Sequence, residues 1–583
     1  MNQAQVLTLD NKQEKHLKTC EYAGGHFKLT PKGVSFLGTD KDGNELPSRW
    51  ICSPFHITAK TRDEKSGEWG RLLKWYDDDG VKHQWAMPLA LLHGDGSEIR
   101  KELARLGLSI SPNKLTRDLL ISYIQVFPVD MRARCVDKLG WHEDVFVTAA
   151  GFIGQSSELV VFQNTNAIEP ALSVSGTVDA WRDSIGRLAS GNSRLIFALS
   201  TAFAPTLANI VGEDSGGFHF RGASSSGKTT ALKIAASVWG EPKAYSRLWR
   251  TTSNGLEGLA ALHNDGLLIL DELSQMDPKQ AGEAAYLLAN GQGKTRASRH
   301  GTAKKSAKWS LFFLSAGEES LTALMARAGQ RANAGQEIRL ADIEADAGLN
   351  MGIFERLHDE PNPETMALSL KEAASRYHGA VGLAWLQKVV NHRQEVSSSI
   401  SKIIQEFVGI IALPDCSGQI LRVARRFALV AAAGELASQY GLTGWAEGEA
   451  FHAAHTCFRA WLDAFGSHGN REDRAVLSQV RAFFESHGSS RFDKLRSPNN
   501  EHINRRAGFY TTAENGDRIY MVLSEVFKNE VCAGFDPKVV GRVLLDAGWL
   551  TPGKDGRATQ KFRVAGIGIP RLYVFNSCLW EEE

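Results

Sequence analysis

The sequence predicts an α/β protein with a P-loop core on a parallel sheet. A mixed N-terminal domain, a helical lid and a C-terminal winged-helix-like domain flank that core. Three observations carry the prediction. A complete G-x-x-x-x-G-K-[ST] motif runs from Gly222 to Thr229, between a predicted strand and a predicted helix. Short apolar strands at Phe218–Arg221, Leu267–Asp271, Leu311–Ser315 and Glu337–Ile343 alternate with helical stretches, the pattern of parallel strands joined by crossovers. The length, 583 residues, allows three or four domains at roughly 100–200 residues each.

Four segments follow. Residues 1–170 read as a mixed β/α accessory domain. Within them, turn signals such as Asp42-Gly43-Asn44 and Asp79-Gly80 separate β-rich runs, and helical patterns lie near 97–108 and 115–126. Trp50, Trp69, Trp75, Trp85 and Trp141 read as core residues rather than a stacking platform. Residues 171–360 form the P-loop core, and 361–468 read as all-helical, including Gln419–Gln439 and Ala446–Ala464. In 469–583, helical patterns at Glu472–Ser486, Leu523–Glu530 and Pro537–Ala547 precede a Gly/Lys/Arg loop and strands at Phe562–Val564 and Leu572–Phe575. That order suggests a winged helix with Arg557, Lys561 and Arg563 on its wing.

Composition sets outer limits. With 43% hydrophobic and 23% charged residues, the chain can bury a core and is not a disordered sequence. A net charge of +1 removes any global basic field, so a nucleic-acid signal has to be local. Seven scattered cysteines form no C-x-x-C pair, which argues against a disulfide framework or zinc site and fits a reducing cytoplasm. Met1–Lys18 is polar and no run of eighteen apolar residues occurs. A cytoplasmic protein without a membrane partner is the expectation.

The chemistry concentrates in the core. In Gly222-Ala223-Ser224-Ser225-Ser226-Gly227-Lys228-Thr229-Thr230, the two glycines let the backbone curl so that N–H groups face phosphate oxygens. The helix that follows adds the positive end of its dipole. Lys228 is expected on the β- and γ-phosphates, and the Thr229 hydroxyl on Mg2+. Forty-odd residues on, the apolar run Leu267–Leu270 ends in Asp271-Glu272. Strand ends of this kind hold ligands in open α/β sheets. Asp271 is the expected metal ligand and Glu272 the residue that polarises the attacking water. The next strand ends at Ser315, whose hydroxyl is a candidate for the γ-phosphate or the lytic water.

The P-loop, the acidic pair and the polar end of the next strand, in this order, resemble AAA+ ATPases. Residues 217–343 are similar to an uncharacterised family of helicase-like AAA+ proteins of bacterial mobile elements and prophages. The resemblance lies in Thr252-Ser-Asn-Gly-Leu-Glu257, His263–Glu272, Leu314-Ser-Ala-Gly-Glu318 and Gly335-Gln-Glu-Ile-Arg339-Leu. That family includes proteins similar to the self-loading helicases of staphylococcal cassette elements. It resembles minichromosome-maintenance and superfamily III helicases more distantly. The resemblance implies ATP as the nucleotide and a homo-oligomeric ring, a hexamer, with nucleotide at subunit interfaces. It also implies an arginine from the neighbouring subunit on the γ-phosphate: Arg331, with Arg327 as the alternative and Arg339 at a further family position. A lid arginine is implied as well, and Arg422 is chosen over Arg425 and Arg426.

Between the predicted helix Lys279–Ala289 and the strand Trp309–Ser315, Gly291–Lys308 carries six Lys/Arg and no acid: Lys294, Arg296, Arg299, Lys304, Lys305 and Lys308. His300-Gly301-Thr302 reads as the turn of a basic β-hairpin. In helicases of the resembling type, a hairpin here enters a central pore and grips single-stranded DNA. Positive charge without acids suits phosphate contacts and carries no base-reading pattern. The expected function is an ATP-dependent DNA helicase or translocase that replicates a mobile element. The alternatives are a protein-remodelling AAA+ ATPase, which would present an aromatic-hydrophobic pore loop, and a nucleotide-switched DNA-binding protein, which has no need of Glu272.

Overall fold

The computed structural model describes residues 19–163, 171–294, 296–297, 303–304, 306–330, 334–411, 417–465, 471–495, 503, 505–513, 516–553, 556–564 and 567–580. The chain divides into two compact units, Met1–Ile411 with Leu421–Ala464, and Ala412–Ile420 with Phe465–Glu583.

The first unit is organised around a five-stranded parallel sheet. Its strands are β1 (Gly216–Arg221), β2 (Arg247–Leu248), β3 (Gly266–Asp271), β4 (Leu311–Gly317) and β5 (Leu340–Glu344), in the spatial order β2-β3-β4-β1-β5. All seven residues of β4 are buried, as a central parallel strand covered on both faces requires. The helices that concern the site are α1 (Lys228–Ser237), α2 (Ser253–Leu262), α3 (Pro278–Asn290) and α4 (Gly418–Gln439). Asp277 caps α3 by accepting from Lys279 N–H, and Thr252 caps α2 by accepting from Gly255 N–H. Leu256, Leu259 and Ala260 of α2 share one buried cluster with Ala281, Ala285 and Leu288 of α3. The predicted last strand begins later than its apolar run suggests: Ala334–Glu337 is a helical turn, and pairing with β1 starts at Leu340.

The N-terminal part forms three further sheets, of four, five and three strands. The helical patterns near 97–108 and 115–126 appear as Ser97–Arg105 and Lys114–Val126, the second capped by Asn113. Trp75 and Trp141 are buried, as expected, but Trp50 is 41% and Trp69 is 39% exposed. The indole of Trp50 donates to Lys32 O and that of Trp69 to Ser66 O, so each is held by one edge at the surface. Among the described residues, no single helix is long and apolar enough to cross a membrane.

In the second unit, a sheet runs in the order Phe492–Lys494, Gly508–Thr512, Arg518–Leu523, Arg571–Phe575, Gln560–Lys561. Helices Arg471–His487 and Pro537–Asp546 pack on it through Val480, Phe484, Val540 and Leu544. The strand expected at Phe562–Val564 falls two residues earlier, with Lys561 opposite Arg571 and Val564 bridged to Gly568.

Two residues at the amino edge of the parallel sheet stitch it to the N-terminal strands. Asp265 Oδ2 accepts from Trp141 N–H at 2.9 Å, and Asn264 Nδ2 donates to Leu139 O at 2.8 Å. Asn264 Oδ1 also takes the Ser310 N–H. Burial pushes the Asp265 carboxyl up to about 6. The folded protein therefore keeps this proton in a range where the unfolded chain, near the ordinary 3.8, has released it. Stability should fall as pH rises from about 4 to 6 and level off above. Asp265→Asn is expected to flatten that slope in thermal melts across the range; an unchanged slope would move its origin to other groups.

Candidate nucleotide site

The parallel direction of the five strands places every βα loop of the core on one edge of the sheet. β1 ends at Arg221, which Asp342 and Glu344 of β5 hold by ion pairs of 3.1 and 2.5 Å. The chain then turns through Gly222–Gly227 into α1. Ser225 and Gly227 take φ of +63° and +91°. A side chain at Gly227 would sit in an unfavourable backbone region and meet Ile353 Cγ2 at 2.5 Å. Ala223, Ser224 and Ser225 are exposed, so the mouth of the loop is open. Lys228 is buried, and its ammonium folds back to donate to Gly222 O at 2.8 Å and Ala223 O at 2.6 Å. Thr230 is buried and donates its N–H to Gly227 O at 2.9 Å.

Thr229 and Asp271 converge from two different elements. Thr229 Oγ1 donates to Asp271 Oδ2 at 3.2 Å, across the width of β4. Burial raises the Asp271 carboxyl above its ordinary value, opposed by the Glu272 N–H, the Thr229 hydroxyl and the Lys228 charge. A hydroxyl and a partly buried carboxylate side by side are the hard oxygen donors that Mg2+ takes, so these residues fit the metal. Glu272 takes φ +59° and is exposed, its own N–H donating to Asp271 Oδ1 at 3.0 Å.

Ser315 stands apart from this group. It is fully buried, and its Oγ accepts from Trp249 Nε1 at 2.8 Å and lies 2.9 Å from His219 Nδ1. His219 Nε2 in turn lies 3.1 Å from Glu319 O, so the ring donates there and accepts the Ser315 hydroxyl proton at Nδ1. Burial lowers the His219 pKa to about 4, which keeps the ring neutral. The hydroxyl expected on the γ-phosphate is thus committed beneath the site, bracing β1, β4 and the chain after β2. At the end of β4 the exposed residue beside the loop is Glu318, and after β2 it is Arg250. Neither carries an expected role from the sequence, where Glu318 enters only within the resembling stretch Leu314–Glu318.

The arginines separate in the same way. Arg426 is buried at the start of β1, where its guanidinium lies against Gly216, and it donates to Ile338 O at 3.0 Å. Burial lowers its pKa to about 10. Arg422 is exposed one helical turn away on α4. That is the amino edge of the sheet, a full strand length from the loop of the same chain, about 17–20 Å by strand rise. Arg422 therefore does not reach the loop of its own subunit. Arg425 pairs with Glu213. Arg327 pairs with Glu319 at 2.6 Å, and Arg339 lies over the Tyr286 ring at 4.1 Å. Arg331 lies outside the described residues.

A brace over the loop has no counterpart in the sequence reading. Ile353 N–H donates to Ser226 O at 2.8 Å, and Gly352 lies close against Ser226. Arg194 clamps the same segment by donating to Glu344 O and Asp346 O. The signal for this brace was the turn chemistry of Gly348-Leu-Asn350-Met-Gly352, three of whose residues take positive φ.

Six basic residues were assigned to a hairpin. Its backbone forms an antiparallel ribbon, Arg296–Ala297 against Ala303–Lys304, continued by a bridge between Gln292 and Lys308. The ribbon leaves α3 and enters β4 at the amino edge, opposite the loop. Lys294 pairs with Glu283 of α3 at 2.8 Å, and Lys308 is exposed. Arg299, Lys305 and the expected turn lie outside the described residues.

The fold as a whole is similar to that of a solved structure. It aligns with the solved structure of the active helicase Cch of SCCmec type IV over 96% of this chain and 99% of that one, with a TM-score of 0.70 at 19% identity. The match carries the similarity to staphylococcal cassette helicases across the whole chain. The apo C-terminal region of NrS-1 aligns over 65% of this chain and 87% of that one at 10% identity, with a TM-score of 0.25, too slight to inform the fold. Residues 27–309 match the family model described as a domain of unknown function, DUF927. That span holds both the loop and the acidic pair. No curated protein matches by sequence.

The buried serine gives a test. Ser315→Ala strands the Trp249 indole and His219 Nδ1, and should cost about 1–3 kcal/mol of stability in urea melts while nucleotide affinity stays unchanged. A variant of full stability that fails to bind or turn over nucleotide would return Ser315 to the phosphates.

Proposed function

We propose that this protein is an ATP-dependent, ring-forming DNA helicase or translocase that serves the replication of a mobile element. The observation that carries the reading is the meeting of Lys228, Thr229, Asp271 and Glu272 at one edge of a sheet whose opposite edge projects an acid-free basic ribbon. Gly222–Gly227 cradles the triphosphate with backbone N–H groups, and Lys228 exchanges its contacts with Gly222 O and Ala223 O for phosphate oxygens. Thr229 and Asp271 hold Mg2+, which supplies charge neutralisation on the phosphates. Glu272, exposed at the turn after Asp271, orients the attacking water and accepts its proton.

Arg331 acts from the neighbouring subunit of a hexamer, its planar fork matching the charge that develops on the transferring phosphoryl group. The distance of Arg422 from its own loop leaves a role at a neighbour's site as its one route to nucleotide. The ribbon grips single-stranded DNA in the ring's pore through Arg296, Arg299, Lys304, Lys305 and Lys308. Lys294 joins them only by leaving Glu283. The second unit acts as a winged helix on DNA through Arg557, Lys561 and Arg563. The fold shared with a cassette helicase supports this reading, and the basic ribbon disfavours a protein-remodelling pore loop.

Two substitution sets test it. Lys228→Ala should abolish nucleotide binding, while Glu272→Gln should bind normally and lose hydrolysis by about a hundredfold or more; turnover retained in Glu272→Gln removes that residue from its role. The double change Lys304→Ala and Lys305→Ala should weaken single-stranded DNA binding, reduce the salt slope of log K by about 1.4 for two lost contacts and spare basal hydrolysis. Unchanged DNA affinity would detach the ribbon from DNA.

A further inference from the structure

One buried acid of the core has no part in nucleotide chemistry. Glu257 lies a turn and a half into α2, 5% exposed. Its Oε1 accepts the backbone N–H of Lys294 at 3.2 Å. Its Oε2 lies against Gly293, where an added Cβ would come within 2.9 Å. Gly293 N–H in turn donates to Ala307 O at 2.8 Å, closing the stem of the basic ribbon just below its paired strands. The carboxylate of α2 therefore holds the ribbon by its backbone, at a glycine whose missing side chain leaves room for the acid.

The other end of α2 starts at the nucleotide edge. β2 pairs with Leu270 and Asp271, and Trp249 N–H donates to Asp271 O at 3.1 Å. Three residues later Thr252 caps α2. From the metal-site carboxylate to the ribbon stem, the path is one strand end, one capped helix start and one side chain. The helix between is packed into the buried cluster it shares with α3, and so moves as a unit. Burying a carboxylate is costly unless hydrogen bonds satisfy it, which ties Glu257 to the stem.

We propose that Glu257 is a positioning residue that transmits the state of the nucleotide edge to the basic ribbon, and so couples hydrolysis to movement of DNA; this rests on the reading of the ribbon as the DNA grip. A shift of the β2–α2 junction when nucleotide is bound or released would move the Lys294 backbone with it. The reverse path lets DNA on the ribbon act on the edge that holds Asp271 and Glu272.

The test measures hydrolysis by the full chain with and without single-stranded oligodeoxythymidine, and oligonucleotide affinity with and without a non-hydrolysable ATP analogue. Glu257→Ala is expected to keep basal hydrolysis and analogue affinity, but to lose DNA stimulation and the nucleotide-dependent change in DNA affinity. Glu257→Gln keeps an oxygen acceptor at the same place and should restore most of both. Gly293→Ala, which displaces the carboxylate from the ribbon side, should reproduce the uncoupled behaviour and serves if Glu257→Ala does not fold. A DNA-responsive wild type with equally responsive Glu257→Ala and Gly293→Ala variants overturns the inference alone. A wild type whose hydrolysis ignores DNA overturns the translocase reading and the inference together.

Discussion

All five strands of the core sheet run in the same direction, and most of what the protein can do follows from that constraint. Every segment that follows a strand emerges at the carboxyl edge, so the loop after β1, the acidic pair after β3 and the turn after β4 must meet there. Every segment that precedes a strand lies at the other edge, which is where the basic ribbon enters β4. Sequence distance is irrelevant to this sorting. Thr229 and Asp271 are 42 residues apart and share a hydrogen bond, while Ser226 is paired through its carbonyl with Ile353.

The same constraint decides what a residue near the site is able to do. β4 separates the loop strand from the acidic strand, so its own side chains have no open face to point into. Ser315 therefore bonds inward, to Trp249 and His219. Those bonds fix the spacing of β1, β4 and the chain after β2 under the site. Arg426, buried against Gly216, fixes α4 to the opposite edge. Chemistry occupies one side of the sheet, and the residues that hold the sheet together occupy its middle and its far side.

The features legible in the sequence were those set by local pattern. The Gly222–Thr229 motif, the apolar run ending in Asp271-Glu272 and the acid-free stretch Lys294–Lys308 each need only near neighbours to be read. The helical patterns near 97–108 and 115–126 were local for the same reason, and appear as Ser97–Arg105 and Lys114–Val126. What the sequence hid depends on tertiary packing. Trp69 stays at the surface because it sits in the turn before the strand Gly70–Tyr76, its indole on Ser66 O, whereas Trp75 lies inside that strand and donates to Leu106 O. That Arg422 stands at the amino edge depends on the direction in which α4 crosses the sheet. The brace Gly352–Ile353 over the loop and the grip of Glu257 on the ribbon join segments far apart in the chain. Neither has a local signature beyond a glycine in the right place.

The central claim is that nucleotide chemistry at one edge of the sheet answers to DNA held from the other. It is tested most directly by the steady-state ATP hydrolysis of the unaltered protein, measured with and without single-stranded DNA at low and at moderate salt. Strong stimulation by DNA that fades as salt rises is the result expected of the proposed phosphate contacts of the ribbon. Brisk hydrolysis that is the same with and without DNA at both salt concentrations would contradict it, and would turn the search towards a protein substrate.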